Sequence, residues 1–198
     1  MTSSNSPRAK ALRALKQLMG PLPDAIESTI PDTFYFGILA EGRRTHHHDD
    51  RAEVLVAGTL LEQSLQVAIQ KKFVLTSPED IASVFTDDSA PLNSFDAKVR
   101  IAFALGLMGP LAKADLTIMR HIRNTFAHSR LKVSYKTPEI VTACEQITLP
   151  DRWSLTSDPM DTRNRFILTA FQYFLNFVTF ENEPWGTVAR KILDLPPE

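Results

Sequence analysis

The feature that most constrains the fold is a series of apolar segments with helical spacing, separated by breaks that contain proline. Val54, Leu61 and Leu65, for example, fall on one side of a helix that would run from about 51 to 73. Pro78 and Pro138 stand where further helices are expected to begin, because proline fits the first turn of a helix but not its interior. The pattern predicts an all-α protein, a compact bundle of about five to seven helices with little or no strand.

The expected domain organisation is a short N-terminal part, 1–48, followed by a helical bundle domain, 49–198. The N-terminal part combines a polar tail, a short helix at about 8–19 and an apolar segment at 33–40 that can dock on the core. Strand signal is limited to residues 34–39 and 131–135, and 149–160 is expected to be a loop. The helices of the bundle are expected at about 51–73, 78–85, 95–108, 111–127 or 114–127, 138–147 and 161–180.

Two of these helices have distinctive apolar patterns. The helix at 95–108 is apolar nearly all round through Ile101 and Leu105, so we expect it to be well buried. The last helix, 161–180, is rich in aromatic residues, which suggests two packing surfaces, one of them for a second copy of the chain. We therefore expect a homodimer.

Composition narrows the possible functions. The net charge is −1, so a global basic field for nucleic acid or membrane is absent. The single cysteine, Cys144, favours a reducing compartment, most simply the cytoplasm. The N-terminus lacks the apolar core of a secretory signal, although its basic character leaves an organelle transit peptide as an alternative. We expect a cytoplasmic protein with no membrane contact and no cofactor.

A histidine-rich loop at 46–48, followed by Asp49 and Asp50, invites comparison with a metal site. Adjacent histidines point in divergent directions, so they chelate one ion poorly without further ligands at helical spacing. A solvated loop whose aspartates cap the next helix is the simpler interpretation, and we predict no metal site.

The helix that ends at His128 carries the side chains best suited to catalysis or ligand binding. On a helical wheel its core stripe comprises Asp115, Ile118, Met119, Ile122 and Phe126. A polar face holds Thr117, His121, Asn124 and His128, and Arg120 and Arg123 flank the stripe on its other border. Two histidines and an asparagine thus share one line beside two arginines.

The same helix begins a segment, 116–138, that contains no acidic residue. A segment that contains arginine and lysine but no acidic residue favours a phosphate-bearing ligand such as RNA. The alternative is that acidic residues elsewhere, for example Glu62 or Asp96, neutralise it. The residues predicted to contact phosphate are Arg120, His121, Arg130, Lys132 and Lys136.

Metal-free RNA cleavage requires a proton-transferring group and a fixed cation. Histidine suits the first role because its pKa lies near neutrality, and arginine suits the second because it is planar and always charged. Arg123 and His128 supply both groups. However, they are five positions apart, which places them about 140° apart around a helix. Two helices meeting across a symmetric dimer would place such groups in one cleft.

Residues 123–128 read Arg-Asn-Thr-Phe-Ala-His, which resembles the Arg-Asn-x-x-x-His signature of HEPN domains. These domains are small helical bundles, usually dimeric, and their active members are metal-independent endoribonucleases of toxin–antitoxin, phage-defence and CRISPR systems. The resemblance implies a HEPN-like bundle. It also implies that His128 is the acid or base, that Arg123 stabilises the phosphate charge, and that Asn124 orients them.

Several sequence blocks follow one another in order between about residues 49 and 147: Asp50-Arg51-Ala52, Leu61-Glu62, residues 91–98, residues 104–107, residues 122–128 and Pro138-Glu139-Ile140 with Cys144. Together they resemble the mannitol repressor family of bacterial transcriptional regulators. That family is described as repressing sugar-alcohol uptake genes. We find no helix-turn-helix pattern, so the resemblance implies action through a protein partner rather than direct reading of DNA. The N-terminal 45 residues, the histidine loop and the aromatic last helix depart from the family.

Glu62 and Arg51 are the predicted supporting residues, on similar faces of the first bundle helix. Glu62 either forms a structural ion pair with Arg123 or Lys98, or positions Arg123 for phosphate. Two functions therefore remain open. In a regulator, Arg123 is in an ion pair, and Asn124 and His128 bond carbonyl groups at the helix end. In an endoribonuclease, the same residues are catalytic.

Overall fold

The computed structural model describes residues 50–75, 77–153, 160–179 and 190–196. This part is 70% helical, with seven helices and no strand, so the predicted all-α bundle is confirmed. The predicted helix at 8–19, the docking segment at 33–40 and the histidine loop lie outside the described residues. The helices, numbered α1 to α7, are Asp50–Gln70, Pro78–Phe85, Phe95–Ala104, Pro110–His128, Pro138–Glu145, Leu149–Trp153 and Thr162–Thr179.

Helix α7 is the most enclosed helix of the bundle. Every residue from Phe166 to Phe177 is buried, and the helix packs mainly against α1, with further contacts to α5 and α6. Its aromatic residues, which suggested a surface for a second copy of the chain, are thus covered on all sides within one chain. A dimer stays a prediction, but α7 offers no open face for it over these residues.

Helix α1 crosses the bundle between α7, α3 and α4. Val54, Leu61 and Leu65 are completely buried, as their spacing predicts. Among the described helices, α1 alone is long and apolar enough to pass a composition test for a membrane span. The buried core helix of a soluble protein passes the same test. Glu53 and Glu62 of α1 form ion pairs with residues on other helices.

Helix α3 is shorter and more exposed than predicted. It ends at Ala104 because Gly106 adopts a left-handed conformation, with φ of 70°, and the N–H of Leu107 donates back to the Ala102 carbonyl at 3.0 Å. Glycine adopts this conformation without a steric cost, which makes it a common end for helices. Phe103 and Leu105 are 37% and 38% exposed, so the expectation of a helix buried all round is wrong.

Two further local predictions are wrong. Residues 149–153 form a short helix, α6, instead of a loop, because a buried carboxylate on α4 accepts the N–H groups at its start. Residues 131–135 form an irregular connection instead of a strand, and Asp50 at the start of α1 accepts a hydrogen bond from the Tyr135 N–H. In both segments, contacts from distant parts of the chain decide the local conformation.

The start of α4 is fixed by the C-terminal segment 190–196. The N–H of Gly109 donates to the Leu193 carbonyl at 2.7 Å, and the N–H of Leu111 donates to Asp194 Oδ2 at 2.8 Å. A carboxylate at this position satisfies free N–H groups and complements the helix dipole. The two ends of α4, the helix that carries the motif, are therefore both tied to other parts of the chain.

Candidate functional site

The core stripe of α4 is confirmed at most of its positions. Met119, Ile122 and Phe126 are at most 1% exposed, Asp115 is completely buried, and Ile118 is partly buried. Burial of Phe126, two residues before the helix ends, fixes the rotation of the last turn. The motif side chains therefore leave the helix in defined directions, along the border of the stripe and at its exposed end.

Arg123 points towards α1 rather than towards solvent. Its Nη2 lies 3.7 Å from Glu62 Oε2, and its Nη1 donates to Asn124 Oδ1 at 3.1 Å. The other oxygen of Glu62 accepts from Lys98 Nζ at 2.7 Å. Glu62 thus forms ion pairs with both of the cations that the sequence offered it, and it joins α1, α3 and α4 in one network.

The position of Arg123 depends on a close approach between α1 and α4. A Cβ atom built on Gly58 would lie 2.7 Å from Arg123 Cγ, closer than such atoms come in proteins. Glycine at position 58 therefore makes room for the aliphatic part of the arginine. Sequence reasoning did not identify Gly58, although a glycine inside an otherwise regular helix usually has a packing or functional reason.

Arg120 is also paired within the bundle. Its Nη2 lies 3.3 Å from Asp96 Oδ1 and 3.0 Å from His121 Nε2, and Asp96 additionally pairs with Arg100 at 2.8 Å. The alternative in which Glu62 and Asp96 neutralise the basic segment is thus correct for the helical half of that segment. Arg120 and His121 of the predicted phosphate site are therefore engaged with neighbouring side chains.

The other half of the basic segment is different. Arg130, Lys132 and Lys136 are exposed, and none of them forms an ion pair with the described residues. They lie in the connection between α4 and α5, beyond the end of the motif helix. The predicted phosphate-binding set is consequently divided into a neutralised group on α4 and an open group on this connection.

His128, the last residue of α4, is exposed. Neither His128 nor Asn124 bonds a carbonyl group at the helix end among the described residues, so that expectation is wrong. Arg51 takes this role instead, since its Nη2 donates to the Ser129 carbonyl at 2.8 Å. Arg51 thus contacts the end of α4, and Glu62 contacts Arg123, while their role as supporting residues stays a prediction.

The most extensive polar network of the bundle is centred on Asp115, which is fully buried. Its carboxylate accepts from the N–H groups of Thr148 and Leu149 at 2.7 and 3.0 Å, from Tyr173 Oη at 2.7 Å and from Arg152 Nη2 at 3.2 Å. Burial and the charge of Asp115 raise the pKa of Tyr173, which stays protonated and donates. The available signal in the sequence was an acidic residue within an apolar stripe.

A partly buried ion pair links the first turn of α7 to α1 and lies near the buried Tyr135. Burial lowers the pKa of Arg163, but its bidentate ion pair with Glu53 outweighs burial and raises it. Burial, followed by the charge of Glu53, raises the pKa of Tyr135. The Tyr135 hydroxyl is buried without a hydrogen-bond partner among the described residues.

Burial also raises the pKa of Cys144 to about 12, which makes it an inert thiol.

The described residues contain no group of three or more His, Cys, Asp or Glu side chains able to hold a metal ion. The fold and site define an all-α bundle in which the arginine of the motif is paired internally and the histidine is exposed. No family model matches the chain, and neither the curated proteins nor the solved structures include a significant match. The resemblances to HEPN domains and to the mannitol repressor family therefore stay predictions from the sequence.

Proposed function

We propose that this chain is a non-catalytic helical regulator, similar to the mannitol repressor family, that acts through a protein partner. The observation that carries the proposal is the pairing of Arg123, whose guanidinium lies between Glu62 and Asn124. A carboxylate beside the guanidinium competes with any phosphate for the same charge. In this arrangement the motif joins helices, and the charge of its arginine is already engaged by Glu62.

The chemistry of RNA cleavage supports the same choice. A catalytic cation must lie free at the phosphate that the general base also reaches. Arg123 is on the face packed against α1, whereas His128 is exposed at the helix end, and no hydrogen bond links their side chains. To cleave RNA, the chain would first have to break the ion pair with Glu62, which also serves Lys98.

A protein partner fits the surface better than direct contact with DNA. Helix α5, which follows the motif helix, exposes Glu139, Thr142 and Glu145. Two carboxylates on its outer face would repel DNA phosphates, so α5 lacks the basic, amide-rich surface that a recognition helix needs. The regulator is therefore proposed to change transcription by binding another protein.

One observation favours a second candidate, a HEPN-type metal-independent endoribonuclease. His128 is exposed and makes no hydrogen bond with the described residues, so its imidazole is open to solvent and to a ligand. The open cations of the α4–α5 connection lie next to it in the chain. In this candidate His128 transfers protons, and a second copy of the chain contributes to the cleft.

The two candidates are separated by comparing four strains of the native host: wild type, a deletion, and the deletion complemented with wild type or with His128→Ala. We expect the deletion to change a small set of transcripts, and both complementing genes to restore them equally. RNA ends should be the same in all strains. RNA fragments with 2′,3′-cyclic phosphate ends that require His128 and persist with a chelator would contradict the regulator and establish the nuclease. A deletion without any transcript change also contradicts the regulator.

A further inference from the structure

The connection between α4 and α5, residues 129–136, carries an exposed leucine between two cations. Leu131 is 78% exposed, and both Arg130 and Lys132 are exposed on either side of it. We call residues 129–136 the basic loop. A single exposed leucine is ordinary, but a leucine framed by cations in a fixed loop combines an apolar anchor with a polar rim, the arrangement found at protein interfaces.

The basic loop is held at both ends by the start of α1. Arg51 donates to the Ser129 carbonyl at 2.8 Å, and the N–H of Tyr135 donates to Asp50 Oδ2 at 3.0 Å. Within the loop, the N–H of Leu131 donates to Ser129 Oγ at 3.1 Å. Several hydrogen bonds thus fix the backbone around an outward-facing leucine, and a pre-organised loop loses little conformational entropy on binding.

The charge of the basic loop is not balanced in the way that the charge of α4 is. Arg120 and Arg123 each have a carboxylate within ion-pair distance, whereas Arg130, Lys132 and Lys136 have none among the described residues. The carboxylate of Asp50, at the base of the loop, accepts from the backbone N–H of Tyr135. The loop therefore presents three cations to a ligand of opposite charge.

We infer that the basic loop is the docking site of the partner, and that the partner binds it through an acidic segment containing a large apolar residue. The inference rests on the proposed function, because it assigns the surface through which that regulator acts. The carboxylates of the partner would face Arg130, Lys132 and Lys136, and its apolar residue would cover Leu131. Charge complementarity of this kind sets specificity and association rate.

A protein segment fits this loop better than single-stranded RNA does. The most common way for a protein to bind unpaired bases is to stack them on exposed aromatic rings. The only aromatic residue of the loop, Tyr135, is 6% exposed and packs its ring against Phe126 and Phe166. Leu131 offers apolar contact without a stacking surface, which suits an aliphatic or aromatic side chain of a protein.

The test is selection from a random peptide display library on the full chain, followed by affinity measurements with the selected peptides. We expect peptides enriched in Asp and Glu that also contain a large apolar residue. The double variant Arg130→Glu/Lys132→Glu should weaken their binding at least about tenfold, and Leu131→Ala should weaken it about threefold. The matched control Lys71→Glu/Lys72→Glu reverses two exposed lysines beyond the far end of α1 and should leave binding unchanged.

Peptides without an acidic bias, or equal binding by the loop variants and the control, would overturn the inference. A single-stranded RNA oligonucleotide of matched charge that binds more tightly than the peptides and displaces them would assign the loop to nucleic acid instead. Circular dichroism melting of each variant separates loss of binding from loss of folding.

The loop variants introduced into the chromosome distinguish this inference from the proposed function. If the deletion changes transcripts and Arg130→Glu/Lys132→Glu does not, the docking site is wrong and the regulator stands. If the deletion itself changes no transcript, the proposed function fails. We expect the double variant to reproduce the deletion, and the lysine control to behave as wild type.

Discussion

Gly58 of α1 and Arg123 of α4 are in direct contact: a Cβ at position 58 would lie 2.7 Å from Arg123 Cγ and 3.2 Å from its Cβ. The missing side chain lets the two helices approach closely. One helical turn further along α1, Glu62 reaches the guanidinium of the same arginine. A glycine and a glutamate on one helix thus determine where the motif arginine lies.

We first predict that Gly58→Val destabilises the protein by at least about 2 kcal/mol, because overpacking a tight helix contact typically costs about 1–3 kcal/mol and valine brings little helix propensity. Chemical denaturation measures the effect. Thr59→Val places the same residue at the adjacent exposed position and should change stability by less than about 0.5 kcal/mol. Equal effects of the two substitutions would show that the contact with Arg123 is unimportant.

The second prediction concerns the ion pairs of Glu62. Replacing it by Gln leaves Lys98, whose side chain is 5% exposed, without its carboxylate, and an unpaired buried charge typically costs about 3–5 kcal/mol. We expect a loss of about 3 kcal/mol for Glu62→Gln in urea denaturation. Adding Lys98→Met should recover more than half of the loss, since the stranded charge is removed. The exposed Glu79→Gln serves as the control, and no recovery in the double variant would contradict this account.

Third, the network around Asp115 is expected to be essential for folding. Asp115→Asn keeps the shape of the side chain but loses the charge and one acceptor, which leaves buried donors unsatisfied. We expect a loss of about 3 kcal/mol or more, against about 1–2 kcal/mol for Tyr173→Phe, which removes one hydrogen bond. Thermal unfolding compares both with Asp87→Asn at an exposed position. A small effect of Asp115→Asn would mean that α6 does not depend on this carboxylate.

Fourth, His128 and Arg51, which both lie at the C-terminal end of α4, should respond differently to truncation. His128→Ala should change stability by less than about 0.5 kcal/mol, because the imidazole is exposed and makes no hydrogen bond with the described residues. Arg51→Ala should cost about 1–2 kcal/mol, since it removes a charged donor from the Ser129 carbonyl. Hydrogen exchange in the basic loop should rise in the Arg51 variant alone. A large loss of stability in the His128 variant would indicate that the histidine has a structural role.

The fifth prediction is a pH dependence that comes from Cys144. Burial raises the pKa of its thiol to about 12, whereas an unfolded chain deprotonates it near 9.0. The neutral thiol therefore contributes stability that is fully present below pH 9 and is lost as pH rises towards 12. In that interval the slope is at most about 1.4 kcal/mol per pH unit for one group.

The measurement is the stability of wild type and of Cys144→Ala across alkaline pH. We expect wild type to lose stability more steeply than the variant above pH 9. The native thiol should also react with a disulfide reagent at neutral pH only as fast as the protein unfolds. Parallel stability curves, or rapid labelling of the folded protein, would contradict the assignment.

Much of the fold could be predicted because helical periodicity is a local signal. The spacing of Val54, Leu61 and Leu65 predicts α1, and the stripe of Met119, Ile122 and Phe126 predicts the buried face of α4. The helix predicted at 95–108 is too long because the left-handed conformation of Gly106 ends α3 at Ala104. Helix α6 was missed because its first N–H groups are bound by a residue more than thirty positions earlier in the chain.

The sequence by itself determined the helical class, the core faces of α1 and α4, and the residue types that meet at the end of α4. These follow from a repeat of about 3.6 residues and from the side chains themselves. Only the tertiary structure decided which cations are paired. Arg123 and Arg120 find carboxylates on α1 and α3, while Arg130, Lys132 and Lys136 do not, because pairing depends on distances between helices that sequence spacing leaves open.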